Sequence, residues 1–176
     1  MSAKKRRTKR NGPAKVRAIP PGFRTVTPYL TVQGGAEAID FYKKAFGAKE
    51  LARETTPDRK ILHARIKIGD SIVMISDEFP GSSAKSPASL GSTTGTLHIY
   101  SGNVDKIWEQ AVAAGARVIM PLDNQFWGER YGQLADPFGH QWSLSMQVKM
   151  SAKEMETKRL AAMSMFANGE HPGKTE

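Results

Sequence analysis

One order of elements is written twice along this chain of 176 residues, about 68 positions apart. Ile39, Ala45 and the pair Gly47-Ala48 recur as Ile107, Ala113 and Gly115-Ala116. Self-similarity at a fixed offset points to duplication of one supersecondary unit. In the first copy a β-rich run at 25–32 precedes a helical pattern at 36–46, where Ile39, Tyr42 and Phe46 share a face and Gly47 supplies the stop. Strand-like runs follow at 50–54, 62–68 and 71–76, the last two joined across Gly69-Asp70. The second copy opens with a strand at 96–100. Asn103 then caps a helix whose apolar face is Val104, Ile107, Trp108, Ala111 and Ala114. Runs at 117–122, 131–135 and 140–146 follow, with Asp136-Pro137-Phe138-Gly139 as the last turn. Each copy therefore reads βαβββ, and the class is α+β.

Punctuation divides the chain further. Ile19-Pro20-Pro21-Gly22 separates a tail, 1–18, from a domain at 19–148. Within the domain, module one spans 23–78 and module two 96–148. Between them lies a linker at 79–95: twelve of the sixteen residues in 80–95 are Pro, Gly, Ser or Thr, a composition that buries little. Ser151 and Glu154 form a capping box that opens a helix within 149–168. Met155, Ala162, Met163 and Phe166 are available for one face, expected to dock on the body or on a partner subunit. Residues 169–176 read as a second tail.

The net charge of +9 suggests a nucleic-acid partner only if it sits on the domain. Residues 1–18 hold eight Lys or Arg and no acid, which leaves 18 bases against 17 acids in the rest. The arm is read as a solvated segment, with weak nucleic-acid contact or an import address as alternatives. No apolar run approaches the length of a membrane span, and the arm lacks the apolar core of a signal peptide, so a cytoplasmic protein is expected. Without cysteine, thiolate nucleophiles, zinc ribbons and iron–sulfur clusters are excluded. There is no G-x-S-x-G elbow, no P-loop and no dinucleotide glycine motif.

The segments TPYLTVQGGAEAIDFYKKAFGAKEL, LHARIKIGDSIVMISDE and FWGERYGQLADPFGHQWSLS resemble the vicinal oxygen chelate superfamily of glyoxalase I, bleomycin-resistance proteins and extradiol dioxygenases. Within it the chain is most similar to the PhnB-like group, from about residue 19 to 166. The resemblance implies paired βαβββ modules forming a pair of half-barrels around a cavity, usually in a homodimer. In metal-dependent members, His or Glu from the first and fourth strands of both modules hold a divalent ion. Counting from the glycines puts those places on Thr27, Met74, Thr96 and Ser143. Hydroxyls and a thioether do not make such a site. No metal or other cofactor is expected, a divalent metal held by other residues being the alternative.

Given such a cavity, strand alternation assigns its wall. In 62–68 the apolar set Leu62, Ala64, Ile66 and Ile68 leaves His63, Arg65 and Lys67 on the other face. The same reasoning turns Thr27, Tyr29, Thr31, Met74, Thr96, His98, Tyr100, Gln141, Ser143 and Ser145 toward the cavity. His63 and His98 are the titratable candidates for catalysis. Tyr29, Arg65, Met74, Tyr100, Trp127, Arg130, Gln133 and Ser143 are the candidates for ligand binding; Arg65 is a possible anion anchor unless Glu54 neutralises it. Residues 126–131 suit a ligand mouth. His140 falls on the apolar side and reads as structural, His171 as solvated, and Asp77 and Glu78 as capping or pairing acids. The leading expectation is a homodimer that binds a small organic molecule without catalysis. The alternatives are a divalent-metal lyase or isomerase using His63 or His98 with a carboxylate such as Glu129, and nucleic-acid association through the arm.

Overall fold

The structure is a computed structural model and describes residues 16–169. The arm proposed for 1–18 lies outside the described residues except for its last three, and His171 lies outside them as well. The first module contains β1 (Tyr29–Val32), α1 (Gly35–Phe46), β2 (Lys49–Thr55), β3 (Ile61–Ile68) and β4 (Ser71–Asp77). A short helix α2 (Pro87–Leu90) follows. The second module contains β5 (Thr96–Tyr100), α3 (Val104–Ala113), β6 (Arg117–Asn124), β7 (Glu129–Ala135) and β8 (Gln141–Gln147), and α4 (Ala152–Ala167) closes the chain. The expected α+β class with two βαβββ modules and a C-terminal helix is what the structure has.

Each module makes one four-stranded mixed sheet in the same order, β1-β4-β3-β2 and β5-β8-β7-β6. The first strand of each runs parallel to the fourth; the other pairings are antiparallel. Parallel pairing needs a crossover, and the helix of each unit provides it.

The helix boundaries follow local chemistry. Glu37 sits in the first turn of α1 and Lys43 and Lys44 in its last, the polarity the helix dipole favours. Gly47 ends α1 at φ +63, a conformation glycine adopts without a Cβ penalty. Asn103 caps α3 by accepting from the Lys106 amide, and both halves of the Ser151–Glu154 capping box form on α4.

One core serves both modules. Tyr42 and Phe46 of α1 pack against Trp142 of β8, with ring centroids 5.4 and 4.7 Å apart. Burying such rings removes well over 100 Å2 each from water. The buried Asp136 carboxylate accepts hydrogen bonds from the Tyr42 hydroxyl, the Trp142 indole and the amides of Phe138 and His140. His140 is structural, as expected: its Nε2 donates to the Thr31 carbonyl at 3.1 Å, tying the turn before β8 to β1.

Four details differ from the sequence reading. The first strand starts at Tyr29 rather than 25, beyond Pro28. In β3 a break of register, with Glu54 opposite His63 but Thr55 opposite Ile61, turns Ile61 inward and leaves Leu62 half exposed. This is the signature of a bulge, an extra residue that reverses alternation locally. The 79–95 segment is not featureless: Glu78 accepts from the Ser86 amide and from the Ser86 and Ser89 hydroxyls, organising α2. Finally, α4 has no fully buried residue. Met155 and Ala162 of its expected face are half-buried, whereas Met163 and Phe166 are exposed.

Candidate functional site

The face of each sheet away from the common core carries the same row of positions. In the first sheet, register aligns Tyr29 with Met74, Met74 with Arg65, and Arg65 with Ala52. In the second it aligns His98 with Ser143, Ser143 with Gln133, and Gln133 with Met120. Six of the predicted site residues therefore occupy matching places in two sheets.

On the first sheet the Tyr29 hydroxyl and His63 Nδ1 share a hydrogen bond of 3.1 Å, the rings meeting edge to face. Arg65 lies beneath the Phe23 ring at 5.9 Å, and its Nε is buried without a hydrogen-bond partner. Glu54 stands across from His63 rather than Arg65, and among the described residues no salt bridge reaches Arg65. The neutralisation that the sequence left open as the alternative does not form.

The second sheet holds a denser network. His98 Nδ1 lies 2.7 Å from Ser143 Oγ and Nε2 lies 3.3 Å from Ser145 Oγ, both serines being buried. Ser145 donates its single proton to Glu129 Oε2 at 3.1 Å. Ser145 therefore accepts from His98, so in the neutral imidazole the proton sits on Nε2 and Ser143 donates to Nδ1. Glu129 also accepts from the Tyr100 hydroxyl at 3.1 Å and the Trp127 indole at 3.3 Å. The hydrogen bond to this carboxylate, then its charge, push the Tyr100 phenol above its ordinary pKa. Tyr131 stacks on His98 at 5.9 Å and meets Trp127 edge to face at 5.5 Å. Gln133 donates to the Tyr131 hydroxyl at 2.7 Å.

Arg130 belongs to neither cluster. Its Nε and Nη2 grip Asp105 on α3 at 2.9 and 2.6 Å, an arrangement that lowers the Asp105 pKa. Strand alternation places it opposite in direction to Glu129 and Tyr131, so its fork is committed to α3.

Two cavities flank the second sheet. One, of about 650 Å3, lies between the sheet and α4 and is lined by Trp127, Tyr131 and Gln133 together with Lys158, Ala162 and Met165. Lys158 bridges to Asp123 across its edge at 2.9 Å. The other, of about 630 Å3, lies where the modules meet and is lined by His98 and Tyr100 with Thr27, Pro28, Ile72 and Trp142. Tyr29, His63, Arg65 and Met74 line neither. Among the described residues, no hydrogen bond or ring contact joins the His63 cluster to the His98 cluster, so one chain does not bring the two histidines together.

The same register tests the metal site that the resemblance implies. The first-strand partners of Met74 and Ser143 are Tyr29 and His98, two residues beyond Thr27 and Thr96. Thr27 precedes β1 and donates to the Arg24 carbonyl. The corrected set is a phenol, a thioether, an imidazole and a hydroxyl, with one strong donor for a divalent cation, and it does not fit such an ion. Among the described residues, no group of three or more His, Asp or Glu is placed to hold a metal.

Sequence reasoning reached Ser145 as a wall position, Glu129 as the carboxylate of the metal-dependent alternative and Tyr131 within the 126–131 mouth, but named none of the three as a ligand-binding residue, and it gave α4 no part in the site. Nothing local signals that β7 begins at Glu129, because Gly128 and Arg130 break the apolar pattern there.

The model of the Glyoxalase/Bleomycin resistance protein/Dioxygenase superfamily matches residues 24–144. An uncharacterized protein of Mycobacterium tuberculosis is 43% identical over 148 residues, 82% of this chain and 85% of that protein. Among solved structures, TioX from Micromonospora sp. ML1 is 27% identical, covering 69% of this chain and 97% of that one with a TM-score of 0.57. A PhnB protein from Bacillus cereus shares the fold at 20% identity and a TM-score of 0.54, covering 70% of this chain and 99% of that one.

Proposed function

Because the chain belongs to the Glyoxalase/Bleomycin resistance protein/Dioxygenase superfamily, we propose that it binds a small organic molecule on the polar face of its second sheet, and does so without a metal and without catalysing a reaction. One observation carries this reading: both ring nitrogens of His98 are already engaged by buried serines. Serine partners on both nitrogens fix the ring in one orientation, which suits a wall group that aligns a bound molecule. His98, Ser143, Ser145 and Glu129 form a rigid polar floor beside aromatic walls, the composition expected of a recognition site.

The polar faces of the two sheets stand apart in one chain. A homodimer would set the first-sheet row of one copy opposite the second-sheet row of another, and we propose that assembly as the working form, in the cytoplasm. Among the described residues, no helix is long and apolar enough to cross a membrane.

A thermal-shift screen of small molecules tests the reading. Hits should raise the melting temperature of the wild type and lose their effect in Tyr131→Ala. Glyoxalase turnover with added Ni2+ or Zn2+, abolished by His98→Ala, would overturn it in favour of a metal-dependent lyase.

A further inference from the structure

The helix α4 lies beyond residue 144, where the family match ends, yet it forms one side of the cavity over the second sheet. Met155, Lys158 and Ala162, spaced as one helical face, are its half-buried positions. Facing Lys158 and Ala162 across about 650 Å3 are the rings of Phe126, Trp127 and Tyr131. We infer that α4 is a ligand wall, and that the molecule held between it and the second sheet is flat, largely apolar and uncharged. The inference rests on the reading of the second sheet as a binding face, and it adds the wall and the ligand class.

Shape and charge set that class. Phe126, Trp127 and Tyr131 on one side and Ala162, Met165 and Phe166 on the other leave a slot that suits a fused-ring system, which stacks on aromatic faces at low entropic cost. The charged residues of the lining are Asp123 and Lys158, and they pair with each other at 2.9 Å. A charged ligand would have to break that pair or go without a counter-ion, so the slot favours a neutral one. The small side chain of Ala162 keeps the slot open.

Two fluorescent probes with the same ring skeleton test this: neutral N-phenyl-1-naphthylamine and anionic 8-anilinonaphthalene-1-sulfonate, titrated into the full chain. The neutral probe should bind about tenfold more tightly, a difference of about 1.4 kcal/mol. Ala162→Trp, which fills the slot, should weaken it at least tenfold, whereas Leu160→Trp on the outer side of α4 should leave it unchanged. Circular dichroism confirms that each variant is folded. Equal binding of both probes would overturn the ligand class. Unchanged binding in Ala162→Trp with loss in Tyr131→Ala would remove α4 from the site but keep the sheet as the binding face. Unchanged binding in both variants would overturn the two readings together. If Ala162→Trp changes the oligomeric state in sedimentation, the slot belongs to a second copy of the chain and the inference falls.

Discussion

The hydroxyl of Tyr42, on the helix of the first module, donates to the carboxylate of Asp136, in the last turn of the second, at 2.8 Å. Both groups are buried, and burial first, with the charge and hydrogen bond of Asp136 after it, raises the Tyr42 pKa well above its ordinary value. This bond joins the two halves of the repeat.

Tyr42→Phe should therefore cost about 1–3 kcal/mol, the penalty for leaving a buried carboxylate short of one donor. Urea denaturation followed by fluorescence measures it, and a variant as stable as the wild type would show that Asp136 is satisfied without Tyr42. The pH dependence has a definite sign. The folded state holds the phenol proton more tightly than the unfolded chain, so the contribution is complete below the ordinary tyrosine pKa of 10.0 and is lost as pH rises above it.

Gly132 of β7 lets α3 approach the second sheet. A Cβ built there would lie 2.5 Å from Trp108 Cζ3 and 2.9 Å from Leu122 Cα. The second contact is backbone and cannot rotate away. Gly132→Ala should destabilise by about 1–3 kcal/mol through overpacking. A melting temperature equal to that of the wild type would contradict the contact.

The bulge in β3 makes adjacent residues unequal. Ile61 is fully buried and Leu62 is 52% exposed. Ile61→Ala should cost about 2–5 kcal/mol, the range for emptying a core site. Leu62→Ala should stay within about 0.5 kcal/mol, as exposed substitutions do. If paired denaturation curves reverse that order, the chain is in the uniform alternation that the sequence suggests.

Glu78 anchors the 79–91 segment at acid-sensitive points. The Ser86 amide first, then the Ser89 and Ser86 hydroxyls and Lys85, lower its pKa from the ordinary 4.5 to about 2. The sign follows from the depressed value: the anchoring is complete above 4.5 and is lost as pH falls through about 2. The amide resonances of Ser86 and Ser89 should titrate with a midpoint near that lower value, and Glu78→Gln should abolish the transition. A midpoint near 4.5 would indicate that the cluster does not hold in solution.

Much of this fold was legible because the signals that carry it are short-ranged. Gly47 and Gly115 stop the helices, Asn103 and Ser151 start them, and Ile39, Tyr42 and Phe46 mark a buried face by spacing alone. The bulge at Ile61 and Leu62 was not legible, since a run of alternating side chains carries no mark of an inserted residue. The candidate site was legible only in part for a similar reason. Alternation identifies the facing side of one strand, as for His98 and Ser143, but the links from Ser145 to Glu129 and from Glu129 to Trp127 depend on where β7 begins and on side-chain reach. Arg130 shows the limit: its neighbours in sequence are aromatic and acidic, yet it is claimed by Asp105, 25 residues away.

The two matching rows are alike in position and unlike in chemistry. Tyr29, Met74 and Arg65 offer a phenol, a soft sulfur and a cation, whereas His98, Ser143 and Gln133 offer an imidazole, a hydroxyl and an amide at the corresponding places. A molecule that met both rows would find different surroundings at its two ends, so it would have one favoured direction of insertion. Pseudo-symmetry of the backbone thus coexists with a polar axis for recognition, and a ligand with two identical halves would be the poorer fit.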